Sequence, residues 1–424
     1  MKKQYFIFGS SFFFSLGTNI MGFSLIFRLT DRLFFTPGQI GVYIALGQFF
    51  YFIGCNLYHR FGSAFEPIKI FPAAAVVIFL ASIPIGFAKS IQVIYASYWI
   101  LQLCTGLYWP PVMAWLTSGL SGKELNREIS FFNRSWMAAI ILGPLAAGSL
   151  YKWNSDINFV ILIACYLTVL VLLFSLFRFS KKHGISLNES SGPVKASIGT
   201  INTQEVAVTS GAPLNTTADR VMPGEDPKPE PQDTALAEKM NISRYKGWIN
   251  AFSSSLLLGI FANIVPLHIR DGLGFTEQSA GAMLFLRSVC GFAGFSIMAR
   301  FTAWQFNRRW FYFLQSGIIA CSLMFLVSGG RLPVLYAAAL FVGLFNSGCY
   351  NNSIFYSGTT GSSPKKNLAL HEIFLSIGSA AGSAGGGFFY QHFRFGGTFV
   401  ILTLVLLLMS GAIVLLDRYE AKQA

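Results

Sequence analysis

The chain has 424 residues, 53% of them hydrophobic and only 12% charged, where a soluble domain carries roughly a quarter charged. Forty-three Phe are too many for one soluble core, so an ordinary soluble globular fold is excluded and an integral membrane protein is expected. The net charge of +13 fits basic loops facing an anionic leaflet and gives no ground for a nucleic-acid surface.

Apolar runs of about twenty residues, enough to cross about 30 Å of hydrocarbon as a helix, recur from end to end. Twelve spans are predicted, near 5–27, 38–58, 68–87, 92–118, 129–151, 157–178, 246–269, 278–299, 309–328, 333–357, 368–390 and 398–416. The chain opens MKK before the first run. No clean small-residue cleavage site follows, so that run reads as a span and not as a signal peptide. The second span begins in the phrase FFTPGQIGVYIAL (34–46). There Thr36 suits an N-cap, Pro37 the first helical position, and Gln39 closes a capping box. The span ends in CNLYHRFG (55–62), which carries His59 and Arg60. In the fourth span Trp109 precedes Pro110 and Pro111, which remove backbone donors and bend a helix. The fifth carries Asn133, Arg134 and Trp136, then GPLAAG (143–148) with Gly143 and Pro144.

Residues 180–243 break the pattern: they hold no apolar run and are rich in Pro, Gly, Ser, Thr and acids. Such a stretch buries too little apolar surface to offset its ordering entropy. It is read as a flexible linker between an N-terminal bundle (1–179) and a C-terminal bundle (244–424). Its Asn-x-Ser/Thr triplets at Asn188, Asn215 and Asn241 are glycosylation acceptors only if the linker faces outside.

Beyond the linker the sequence repeats itself. The eighth span starts in GFTEQSAGAMLFL (274–286), 240 positions after its near-copy. LYHRFG (57–62) falls on IMARFT (297–302) at the same offset. LGTNI (16–20) resembles LGIFANI (258–264), pairing Asn19 with Asn263. GPLAAGSLY (143–151) matches GSAGGGFFY (382–390), and GLYWPP (106–111) resembles GLFNSG (343–348). Landmarks in one order in both halves mean a duplicated six-span unit, and an even number of spans makes the halves parallel. With both termini inside, about 23 of the 31 basic residues fall in inner loops, tails and linker. About seven fall outside, at Arg28, Arg32, Lys89, Lys152, Arg270, Arg331 and Arg394. The termini and the linker are therefore expected in the cytoplasm.

These features resemble the major facilitator superfamily. The twelve spans, the long central loop and both halves carry the likeness, together with two local motifs. The loop after the second span keeps Leu57, Arg60 and Gly62 of the family pattern, with Cys55 and His59 in place of its first Gly and its Asp. Gly143-Pro144-Leu145-Ala146-Ala147-Gly148 departs by one residue from the fifth-span signature of proton-driven exporters. The resemblance implies two pseudo-symmetric six-helix bundles around a central cavity that opens alternately to each side. It assigns Arg60, His59, Gly143 and Pro144 to gating or coupling.

Polar groups inside spans cost free energy and mark function or a specific partner. Arg287 lies about ten residues into its span, near mid-membrane, and is either an anchor for an anionic solute or half of an interhelical ion pair. Glu372, preceded by His371, is either a proton carrier or an ordinary partner of Arg134 or Lys366. Asn19, Gln48, Asn133, Asn263 and Asn346 line the cavity or bond helix to helix, and Trp109 and Trp136 form an aromatic wall or simply pack. The run GSAAGSAGGG (378–387) lies within a span and so lacks the strand and helix start of a nucleotide loop.

The expected function is secondary transport of a small organic solute by alternating access in a bacterial inner (plasma) membrane, with proton-coupled export favoured by the Gly-Pro signature. Uptake or exchange of an anionic solute, or lipid flipping on the same fold, stays open. The six Cys include no CxxC pair, and neither a metal motif nor His-x4-Asp nor HExxH occurs. No enzyme, cofactor, metal or nucleic-acid partner is expected, and the chain is expected to act as a monomer.

Overall fold

The computed structural model describes residues 4–61, 67–117, 122–182, 231–301, 303–305, 307–359 and 364–423. Among them are eleven α-helices and no strand. These are α1 (Gln4–Leu33), α2 (Pro37–Phe61), α3 (Pro67–Phe87), α4 (Ile91–Thr117), α5 (Gly122–Tyr151) and α6 (Ser155–Lys182). After the linker come α7 (Pro231–Leu267), a π turn (His268–Gly272), α8 (Glu277–Arg300), α9 (Arg308–Val327), α10 (Leu332–Thr359) and α11 (Pro364–Gln423). The 60-residue α11 is broken at Arg394, whose φ of 57° and ψ of −172° no helix accepts, so it makes two arms. Eleven helices, the last in two arms, are compatible with twelve spans. Nine of the eleven, α4 and α5 being the exceptions, are long and apolar enough to cross a membrane.

Local signals set the helix starts as expected. The Thr36 amide donates to Gln39 Oε1 (2.9 Å) and the Gln39 amide to Thr36 Oγ1 (3.3 Å), a reciprocal capping box. Thr276 caps α8 through the Ser279 amide (3.4 Å). Pro110 and Pro111 lie inside α4 and Pro144 inside α5.

Helices α1–α6 pack among themselves, as do α7–α11, and the two groups meet mainly along α2 with α11 and α5 with α8. Both seams are built from glycine at backbone contact. A Cβ on Gly41 would stand 2.2 Å from Ser383 O and 3.2 Å from Gly387 Cα. A Cβ on Gly281 would stand 2.4 Å from Pro144 O and 3.3 Å from Gly148 Cα. Gly387 abuts Pro37 O, as Gly148 abuts Glu277 O. Gly41 and Gly281, like Pro37 and Glu277, stand 240 positions apart, so the seams are images of one another. The phrase repeats because each copy supplies the helix start that closes one seam. Small residues are what let membrane helices approach this closely.

The same contacts correct one pairing. Gly143 packs on Asn19 Cβ (2.7 Å) and near Leu16 O (3.6 Å), while Gly382 packs on Leu256 O (2.1 Å) and abuts Gly259. The counterpart of Asn19 is therefore Gly259 and not Asn263, which is one turn further on. Sequence similarity aligned two asparagines; backbone packing keeps the 240 offset.

Candidate functional site

Call the end of the bundle that carries the linker junctions the linker face, and the end that carries the 34–36 and 272–276 loops the far face. Both seams close the far-face half. Toward the linker face Glu372 on α11 lies deep among the helices, within electrostatic reach of Tyr51 and Cys55 on α2 and Tyr350 on α10. Yet its side chain is 60% exposed. Glu372 is thus an exposed carboxylate with neighbours from both helix groups. Tyr51 and Cys55 hydrogen-bond each other on α2.

Arg287 is carried on α8. It lies six residues past Gly281, about 9 Å from the seam toward the linker face. The guanidinium is half-buried; Nη2 donates to Ser288 Oγ (3.1 Å) and the buried Nε has no partner. Among the described residues no carboxylate lies within ion-pair distance of it. Glu372 is fifteen residues from Gly387, about 22 Å from the other seam, so the two charges differ in depth by about 13 Å and do not pair.

His371 is fully buried beside Glu372: Nδ1 shares a hydrogen bond with Ser353 Oγ (2.7 Å), Tyr350 meets its ring edge-on at 5.0 Å, and Nε2 is 4.0 Å from Glu372 Oε1. Arg134 is exposed with its guanidinium 5.6 Å from the Phe131 ring and makes no described ion pair with Glu372. The ordinary salt bridge weighed for that pair is absent.

The other sequence candidates divide. Asn263 is buried and donates to Gly259 O and Ser383 Oγ (both 2.8 Å), a bond between α7 and α11. Asn19 donates to Ser15 O (2.8 Å) within its own helix and faces Gly143 across α5. Trp109 packs edge-on against Phe14 (5.0 Å), Tyr108 (5.2 Å) and Phe132 (5.9 Å), a wall-like cluster with Trp136 half-buried in the same core. Gln48 and Asn346 are half-buried. Arg60 is exposed with its guanidinium 5.6 Å from the Phe61 ring. Gly143 and Pro144 serve the α1 and α8 contacts of α5. The side chains of His59 and Asn133 lie outside the described residues, as does the linker 183–230.

Two charge clusters were not foreseen. At the far face Arg270, in the π turn, bridges to Asp31 on α1 (2.8 Å) and to Asp271 (2.5 Å), with Glu277 at 3.8 Å. Tyr151 donates to Asp31 (3.0 Å), and the Phe27 ring lies 4.5 Å from the Arg270 guanidinium carbon. At the linker face the buried Lys246 at the start of the α7 span pairs with the buried Asp417 and with Glu420 (2.5 Å) on α11. Arg308 (2.7 Å) and Tyr312 on α9 also meet Asp417.

The arrangement, among the described residues, is a guanidinium without a carboxylate partner and an exposed carboxylate at different depths, with two matched glycine seams on the far side. Residues 7–368 match the family model of the Major Facilitator Superfamily. Similar solved structures include a POT family transporter in complex with a thioalcohol-conjugated peptide, at 13% identity and TM-score 0.71, covering 98% of this chain and 96% of that one. A peptide transporter POT in complex with sulfate aligns at 14% identity and TM-score 0.67, over 98% and 95% of the two chains. A bacterial homolog of the human lysosomal transporter Spinster, inward-facing and unoccupied, aligns at 10% identity and TM-score 0.66, over 99% and 98%. At these identities the likeness is one of fold. No curated protein matches the chain.

Proposed function

The chain belongs to the major facilitator superfamily, and on that premise we propose that it is a secondary transporter that carries a small organic anion by alternating access, held at Arg287. The observation that carries the reading is the Arg287 guanidinium, deep in the bundle, its buried Nε unpartnered and no described carboxylate beside it. A charge without a partner in the membrane interior is costly, and an anionic cargo supplies the partner. Arg also offers a carboxylate or phosphate two parallel donors.

The reading divides the chain into two six-helix bundles, 1–179 and 244–424, joined by the segment 180–243, into whose ends α6 and α7 extend. It places the linker face in the cytoplasm, as the basic-residue asymmetry favours. The described conformer is then open inward. Glu372 favours proton coupling: its exposed side chain is read as facing a recess open to the linker face, and among the described residues its one ion-pair neighbour is His371, at 4.0 Å. The Gly143-Pro144 signature favours export over uptake. The protein works in a plasma membrane as a monomer, without a cofactor and without catalysing a reaction.

The test is thermal unfolding of purified wild type, Arg287→Ala and Arg287→Lys against anionic, neutral and cationic solutes. An anion at 100 times its dissociation constant stabilises the wild type by about 2.7 kcal/mol. The alanine variant loses that increment and the lysine variant keeps part of it. Equal stabilisation of wild type and Arg287→Ala by every anion that binds removes Arg287 from the site.

A further inference from the structure

Three fully buried amides of the second group fall in one layer. Asn250 on α7 donates through Nδ2 to Phe311 O on α9 (3.1 Å). Gln315, one turn past Phe311, donates through Nε2 to Leu406 O on the second arm of α11 (3.0 Å). The Phe311 ring meets Tyr356 on α10 at 5.2 Å, and a Cβ on Gly348 would stand 2.6 Å from Leu314 Cδ2. Asn352 lies on α10 between Tyr356 and Gly348, one turn from each, and so stands opposite the stretch 311–315. The apolar core breaks at the same level. Phe311, Tyr356 and Ile413 form a small cluster toward the linker face, while Leu314, Cys349 and Leu406 belong to the main core. The amides sit at the break.

The first group closes this level differently. At the 240 offset Asn250 falls on Ser10, Gln315 on Ala75 and Leu406 on Tyr166, the last fixed by FVIL at 159–162 and again at 399–402. There Tyr108 donates to Ser10 (3.4 Å) and Tyr166 shares a hydrogen bond with Thr18 (3.1 Å), so rings and hydroxyls fill the space and satisfy each other. In the second group a leucine replaces Tyr166, and the amides bring more polar atoms than they satisfy.

The unmet atoms specify what they can hold. Asn250 Oδ1, Gln315 Oε1 and both polar atoms of Asn352 are buried without a partner among the described residues. Asn250 and Gln315 have committed their NH2 groups, so what they leave open are oxygens. The layer therefore offers three acceptors and one donor. We infer that it is a binding site for two ordered waters, shared by α7, α9 and α10. One water donates to two of the oxygens and accepts from Asn352 Nδ2. The other donates to the third oxygen and to its neighbour. A water has two donors, so two waters are the fewest that meet three oxygens, and each finds the polar partners a buried water needs. A bare cation is a poor fit, since three neutral oxygens offset too little of its desolvation. The nearest acid along α11, Asp417, is eleven residues from Leu406, about 16 Å away.

Hydration of this layer depends on no assignment of cargo or coupling. It is read by X-ray radiolysis of the full chain in nanodiscs made up in water enriched in oxygen-18. Hydroxyl radicals formed from a bound water label thiols and aromatic rings beside it, even where bulk solvent does not reach. Cys349 and Tyr356, within a turn of Asn352 on either side and both buried, should take up the heavy label. Cys165 and Phe325, equally closed to solvent but in other layers, should take none. Asn352→Leu should abolish the label at both reporters and leave labelling of exposed residues as in wild type. Should Asn352→Leu not fold, Gln315→Met serves, and the label should fall there too. The site is overturned if wild-type Cys349 and Tyr356 label no more than Cys165 and Phe325, because that comparison needs no variant. It is also overturned if the label persists undiminished once the amide is removed. Replacement of sodium by potassium or choline should leave the pattern unchanged; labelling that follows the cation would put an ion there in place of water.

Discussion

Gly41→Ala on α2 puts the seam to a direct test. The new methyl would stand 2.2 Å from Ser383 O and 3.1 Å from Ser383 C. Real Cβ atoms essentially never come within 3.0 Å of another heavy atom, and these neighbours are backbone, which cannot swing aside. Overpacking of this kind costs about 1–3 kcal/mol. The clash exists only while α2 and α11 are in contact, so the cost falls on the far-face-closed state. At about 2 kcal/mol the ratio of open to closed shifts by about 30-fold. Gly281→Ala, 2.4 Å from Pro144 O, should give a shift of similar size through the other seam. Gly22→Ala is the control, since nothing lies within 4 Å of its Cβ position. There alanine gains about 0.5–1 kcal/mol of helix propensity and leaves the gate alone. The assay is the dipolar distance distribution between spin labels on Lys152→Cys and Arg331→Cys, exposed far-face positions of the two groups, with thermal unfolding beside it. If Gly41→Ala behaves as Gly22→Ala in both measurements, glycine contact does not hold the gate.

Two other perturbations follow from the charge clusters. Lys246→Met leaves the buried Asp417 with Arg308 (2.7 Å) and Tyr312, and should lower stability by less than the about 3–5 kcal/mol of a fully uncompensated buried charge; an unfolding midpoint within a degree of wild type would contradict the buried pair. Glu372→Gln removes the titratable oxygen but keeps the shape of the recess, so proteoliposomes should lose solute movement driven by a pH gradient and keep counterflow exchange. A variant that still responds to the gradient would take proton coupling away from Glu372.

Much of the fold is legible before any coordinates. Span length and hydropathy follow from the thickness of hydrocarbon, and helix starts such as Thr36–Gln39 are written in a few adjacent residues. The far-face charge cluster also left a trace. RLTDRLFFT (28–36) and HIRDGLGFT (268–276) extend the repeated phrase upstream and align Asp31 with Asp271, a pair that was within reach of the same comparison. The Lys246 cluster left none, because Lys246, Arg308 and Asp417 come from three helices far apart in sequence. Asn19 and Asn263 mislead in the opposite sense: like residues aligned by eye are separated by one turn when backbone contacts set the register.

The sequence by itself determined an all-helical membrane protein, its internal duplication and the presence of two charges within spans, because burial in hydrocarbon and helical period are properties of neighbours along the chain. Only the tertiary structure decided which polar groups are already satisfied. Asn263 is spent on Ser383, whereas Arg287 has a buried nitrogen without a partner and Glu372 keeps an open face. That distinction depends on what lies across the gap between helices, and distance across a gap is set by packing, not by position in the chain.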